Sequence, residues 1–175
     1  TNIAKIIDRP YTLPLGETEA SVDKSDIAPF LYDGMDAHRV VLVNGRVDEA
    51  LSDIGDLPSG VVVSSLAQAG KEHPDVVEEH YGKYADFEDE ALTALNTAFV
   101  QDGAFVYVPS GTIVEKPIFF LHVTASDEDL FLQPRHLFVV EDGAIAKIIE
   151  AQHSLTDANT FTNTVGEAFV GEKAN

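Results

Sequence analysis

The alternation of apolar and polar positions divides the chain near residue 100. Before it, short apolar stretches are interleaved with helical spacing; after it, only strand-length segments occur. The first twenty residues carry Pro10, Pro14 and Gly16 with no sustained period and read as an extended lead-in. Arg39-Val40-Val41-Leu42-Val43 is apolar and β-branched, is closed by Asn44-Gly45 and returns through Arg46-Val47. That spacing predicts a hairpin with a two-residue turn of the I′ kind. Pro58-Ser59-Gly60 punctuates the chain before Val61-Val62-Val63-Ser64-Ser65-Leu66, a buried strand.

Residues 65–84 then show helical spacing through Leu66, Ala69, Val76, Val77, His80 and Tyr81, interrupted where Pro74 follows His73. A second helix is expected over 87–99, with Phe87, Ala91, Leu95 and Ala98 on one face. Glu88, Asp89 and Glu90 would complement the dipole of its first turn. Seven strand-like segments come next: 104–108, 112–114, 118–124, 130–132, 136–140, 144–149 and 160–170, separated by Gly, Pro or acidic turns. Seven short strands suit a sandwich, a barrel or a solenoid. Asp102-Gly103-Ala104 and Asp142-Gly143-Ala144 each lead into an alternating stretch, and this echo tilts the reading toward stacked coils.

Composition narrows the function classes. With 45% hydrophobic residues, 175 residues can bury a core, and no apolar run approaches the roughly 20 residues of a membrane helix. Lys5, Asp8 and Arg9 interrupt the apolar start, so no secretory signal is read and the cytoplasm is the expected compartment. Thirty acidic against eleven basic residues give a formal charge of −19, which disfavours nucleic acid and anionic membranes as partners. The charge reads as a solvated surface, or as a face that docks a basic protein. Cysteine is absent, so this chain offers neither a disulfide nor thiolate ligands for zinc or an iron-sulfur cluster. No Gly-x-x-x-x-Gly-Lys-Ser/Thr loop is present to cradle phosphate.

Candidate chemistry rests on histidines and carboxylates. His73 and His80 are seven apart with Pro74 between, a poor chelating spacing, and both read as surface or helix-end residues. His136, beside Arg135, and His153, after Glu150, are better placed, with hydrogen-bonded structural roles the favoured reading. Glu115, Glu141 and Glu150 could supply the acid pair of a glycoside-cleaving β-helix, but tryptophan is absent and the phenylalanines fall in apolar alternation. No catalytic, cofactor-binding or metal-binding residue is therefore assigned from sequence. A carbohydrate-active or carbohydrate-binding β-helix is the functional reading that these residues leave open as an alternative.

Asn44-Gly45-Arg46 with Leu51-Ser52-Asp53, Leu95-Asn96-Thr97-Ala98-Phe99 and Asp102-Gly103 resembles the N-terminal region of SufD proteins. Val108-Pro109-Ser110-Gly111, Glu115-Lys116-Pro117-Ile118, Pro134-Arg135-His136, Glu141-Asp142-Gly143-Ala144, Ile149-Glu150 and Phe161-Thr162-Asn163 resemble the opening of that family's β-helix. The resemblance implies an α+β chain: a small N-terminal α/β region over 1–100, then the first coils of a right-handed parallel β-helix over 101–175. It also implies a non-catalytic scaffold role in iron-sulfur cluster assembly, with a SufB-like protein and the ATPase SufC as partners. Cluster chemistry is expected at the level of that complex, with no cofactor bound by this stretch. The family's interface histidine and its SufC-docking helices belong to a later part of such proteins and map to no residue here. An exposed end of the stacked coils would further favour a homodimer or other self-association.

Overall fold

The computed structural model describes residues 8–14 and 22–175. Most of the extended lead-in lies outside them; of its described part, Thr12 forms a parallel bridge to Leu130. The first element is a single turn, α1 (Lys24–Ile27), continued by a 3-10 turn over Ala28–Phe30. Asp23 caps it, accepting from the amides of Ser25 and Asp26, while the Asp26 carboxylate accepts from the amide of Asp23. This reciprocal capping box satisfies donors that a short helix otherwise leaves bare.

Strands β1 (His38–Val43) and β2 (Arg46–Asp53) form the expected hairpin, antiparallel and in register from Val43 opposite Arg46. Asn44 and Gly45 take φ of 50° and 83°, the two left-handed positions that a I′ turn requires. The Asn44 side chain does more than turn the chain. Its amide donates to the Ala125 carbonyl at 2.8 Å and its oxygen accepts from the Ala125 amide at 2.9 Å, extending a ladder beyond the end of the strand. Strand β3 (Val62–Ser65) leads directly into α2 (Leu66–Glu72), whose N-cap Ser65 accepts from Gln68. Helix α3 (Pro74–His80) restarts at Pro74, as the residue pair His73-Pro74 predicts. Helix α4 (Ala91–Phe99) begins later than expected: Asp86 accepts from the amides of Glu88 and Asp89 and closes a turn there instead.

The remaining strands are β4 (Ala104–Val108), β5 (Ile118–Thr124), β6 (Leu130–Leu132), β7 (Arg135–Val140), β8 (Ile148–Ser154), β9 (Thr160–Thr162) and β10 (Val165–Val170). They form two four-stranded sheets, ordered β2-β1-β5-β8 and β10-β7-β4-β3, and a two-stranded sheet β6-β9. Pairing within β1-β5-β8, β4-β7-β10 and β6-β9 is parallel, whereas β2 and β3 join antiparallel to β1 and β4.

The right-handed parallel β-helix expected from the resemblance and from the echoed glycine turns is therefore corrected. The fold is a small mixed α/β domain of parallel and antiparallel strands with little helix, and strands β1, β2 and β3 from its first 65 residues enter the same sheets as the later ones. The echo itself misleads for a physical reason. Gly143 sits in a left-handed turn, with φ of 67°, and Ala144 is not in a strand; Gly103 has no such φ, lies against the backbone of Arg135, and Ala104 opens β4 directly. Equal letters serve unlike backbone conformations. Segment 112–114 likewise contributes only a bridge between Ile113 and Ile145, and the segment expected over 160–170 is two strands in different sheets.

Apolar alternation sorts side chains to the two faces of each sheet. Val40, Leu42, Ile118 and Phe120 of the first sheet meet Val63, Ala104, Val106, Val108 and Val140 of the second in one core. The opposite face of the first sheet, with Val41, Phe119, Leu121 and Val123, is covered by Ile27, Phe30 and Leu31 around α1. The opposite face of the second, with Phe105, Leu137 and Val139, lies under Leu66, Ala69, Val76 and Val77 of α2 and α3. Each such fully buried aromatic or branched side chain contributes roughly 1.5–3 kcal/mol. Among the described residues no helix is long and apolar enough to cross a membrane.

Candidate functional site

Polar side chains from β5, β7 and β8 gather on the faces that these strands share with the main core. His122 comes after Ile118 and Phe120 on β5 at strand spacing, and His136 occupies the corresponding face of β7 with Phe138 and Val140 after it. Glu150 comes two residues after Ile148 on β8. The parallel register of β5 with β8 sets Phe120 opposite Glu150 and His122 opposite Gln152, so the carboxylate reaches diagonally to His122. Nε2 of His122 lies 3.2 Å from Oε1 of Glu150, and Nε2 of His136 lies 3.6 Å from the same oxygen. The two imidazole rings are 5.1 Å apart between centroids. Among the described residues this is where three side chains of metal-ligating type bring their ligand atoms together.

Burial grades across the three. His136 is 1% exposed, whereas the Glu150 side chain is 40% exposed and opens the cluster to solvent. Nδ1 of His136 accepts a hydrogen bond from the Ala104 amide at 2.9 Å. A ring nitrogen that accepts carries no proton, so the neutral ring bears its hydrogen on Nε2, facing Glu150. Among the described residues that Nε2 has no hydrogen-bond partner. Burial, reinforced by His122 and only partly opposed by Glu150, pushes the His136 pKa from 6.5 down to about 4. The hydrogen bond from His122, against some desolvation, holds the Glu150 carboxyl below the usual carboxylate range, with His136 adding to the effect.

The His136 shift makes stability depend on pH. Its folded pKa lies below its unfolded value, so the unfolded chain binds the extra proton as pH falls from about 6.5 toward 4. The stability tied to the neutral ring is complete above that window and is lost within it. Between pH 7 and pH 5 the loss is expected to be about 2 kcal/mol. Urea unfolding of the parent chain and of His136→Phe at both pH values measures it. An equal pH slope in the two proteins would show that His136 is not the titrating group.

The other candidates do not converge here. His73 sits half-buried at the junction of α2 and α3. His80 ends α3 and is buried, its Nδ1 2.6 Å from the Tyr84 hydroxyl and its ring packed on Phe169. His153 projects from the opposite face of β8 to Glu150 and stacks on Phe30 at 4.1 Å. Glu115 is exposed, and neither it nor Glu141 belongs to the His122–His136–Glu150 group. His122 has no distinguishing mark in the sequence. The available signal is a polar residue at an inward position of the apolar run 118–124, which acquires meaning only once β5 is placed beside β8.

Comparison with known proteins gives a consistent family. The model of the SufBD protein N-terminal region matches residues 1–120. An iron-sulfur cluster assembly SufBD family protein of Synechocystis is 30% identical over 165 residues, covering 89% of this chain and 36% of the relative. The iron-sulfur cluster assembly protein SufD of Bacillus subtilis is 34% identical over 117 residues, 66% of this chain and 26% of its own length. A chloroplastic SufBD family protein of Arabidopsis thaliana is 30% identical over 118 residues, 66% of this chain and 21% of the relative. The chain thus spans about a third or less of the length of these relatives.

Proposed function

The chain belongs to the SufBD family, and from that premise we propose that it acts in iron-sulfur cluster assembly as part of a non-catalytic scaffold subunit. Its partners in this reading are a SufB-like protein and a SufC-like ATPase, and its compartment is the cytoplasm. The observation that carries the reading is the family match over residues 1–120, with similarity to an iron-sulfur cluster assembly protein continuing across 89% of the chain. The chemistry of the chain is compatible with it. A stretch without cysteine brings no thiolate to a cluster, so its contribution is to hold other proteins in place, and a formal charge of −19 favours partners with basic surfaces.

The test is co-elution. The whole protein that carries this chain, mixed with its SufB-like and SufC-like counterparts at low salt, is expected to run with both in size exclusion and to separate from them as ionic strength rises. Failure to associate with either partner, with the protein folded by circular dichroism, would remove the scaffold reading.

A further inference from the structure

We propose that His122 and Glu150 form a binding site for one zinc-class divalent cation, with His136 as the positioning donor that holds the Glu150 carboxylate. This site is independent of the assembly role. The donor set is an imidazole and a carboxylate, which suits zinc and its first-row neighbours rather than calcium or magnesium. The spacing fits. Two ligand atoms, each about 2.0–2.1 Å from such an ion at tetrahedral or octahedral angles, lie about 3 Å apart, and Nε2 of His122 is 3.2 Å from Oε1 of Glu150.

His136 is excluded as a ligand by its own hydrogen bond. Because Nδ1 accepts from Ala104, Nε2 is protonated and has no lone pair to give, whereas no described residue occupies Nδ1 of His122, so its proton can move there and free Nε2 for the ion. Its N–H is instead a buried donor without a hydrogen-bond partner among the described residues, 3.6 Å from the carboxylate that would bind the ion. A ligating carboxylate is ordinarily fixed by such a donor, and drawing Glu150 toward His136 satisfies a group that otherwise costs stability. The remaining coordination positions fall to water, which reaches the site past the exposed side of Glu150. One imidazole and one carboxylate leave the bound ion with net positive charge, which the strongly acidic chain tolerates.

Titration of the chain with Zn²⁺ at pH 7, followed by calorimetry, is expected to show one saturable site. His122→Ala and Glu150→Gln, both at partly exposed positions that the fold tolerates, are each expected to weaken it at least tenfold. His136→Phe is expected to weaken it about tenfold through loss of the positioning hydrogen bond. The control His73→Ala leaves it unchanged. Nitrogen-15 spectra of the histidine rings separate the roles: on adding Zn²⁺ the His122 Nε2 resonance shifts to a metal-bound value, while His136 keeps its proton on Nε2. No saturable binding, binding that survives both His122→Ala and Glu150→Gln, or loss of the His136 Nε2 proton on binding would each overturn the assignment.

Discussion

Replacing Glu167 by alanine is expected to remove about 3–5 kcal/mol of folding stability, enough to unfold much of a domain whose total is of order 5–15 kcal/mol. Glu167 lies on β10 and Arg135 on β7, and both side chains are essentially excluded from solvent. Nε and Nη2 of Arg135 both donate to Oε2 of Glu167, at 3.0 and 2.6 Å. The same carboxylate accepts from the amides of Gly82, Tyr84 and Ala85, so it also ties the loop after α3 to the sheet. Burial alone would raise its pKa, but the Tyr84 amide, then Arg135 and the Gly82 amide outweigh it and hold the carboxyl below the usual range. Truncation leaves a buried guanidinium with Tyr81 beneath it and only long contacts to Asn96 and Thr97, and three amides without their acceptor. Chemical denaturation reads the loss. Breaking the exposed Lys116–Asp36 pair by Asp36→Asn is the comparison and is expected to leave the midpoint almost unmoved. Equal effects of the two substitutions would mean that the buried pair carries no special load.

That pair also marks the limit of what the residues disclose in order. The hairpin at 39–47 is legible because Asn44-Gly45 is a local signal: two left-handed positions between two apolar runs leave few other conformations. The break at Pro74 is legible for the same reason, as a local covalent constraint. Arg135 and Glu167, by contrast, carry no local signal of their pairing, which appears only when β7 and β10 are laid side by side. The turn α1 is open to detection through Asp23 and Asp26, three apart as in a capping box, but its four residues carry too little periodicity to stand out. The single segment expected over 160–170 hides a break that depends on distant partners. The Asn163 side chain donates to the Leu92 carbonyl and to Gln133, and Asn96 donates to the Asn163 carbonyl, fixing the corner between β9 and β10 from outside.

The site shows the same asymmetry. His136 and Glu150 could be singled out as polar residues near strand ends, but their meeting with His122 depends on parallel register, which no local motif encodes. A hydrogen bond from Ala104 then decides the tautomer, and through it the difference between a ligand and a positioning donor. Function at this level lives in a backbone amide from a neighbouring strand, and residue types alone cannot express it.

Gly103→Ala is accordingly expected to damage both fold and site, costing about 3 kcal/mol or more, while Gly143→Ala costs only about 1–2 kcal/mol. Gly143 holds a left-handed φ of 67° with no atom of the described residues within 4 Å of an added Cβ, so its penalty is backbone strain. Gly103 has no positive φ; a Cβ there would instead run into the carbonyl of Arg135, which is main chain and cannot rotate aside. The surrounding backbone is pinned on both sides, since Arg135 donates its amide to the Asp102 carbonyl and Leu66 donates to the Gly103 carbonyl. Relief requires β4 and β7 to separate at this point, and the next bond along is the Ala104 amide to Nδ1 of His136. Denaturation midpoints of the two variants test the order of costs. The Nδ1 resonance of His136 tests the coupling, because a ring freed from Ala104 loses its single tautomer and populates both. If Gly103→Ala proves no more costly than Gly143→Ala, or if His136 keeps one tautomer in it, the close approach of β4 and β7 does not set the geometry of the cluster.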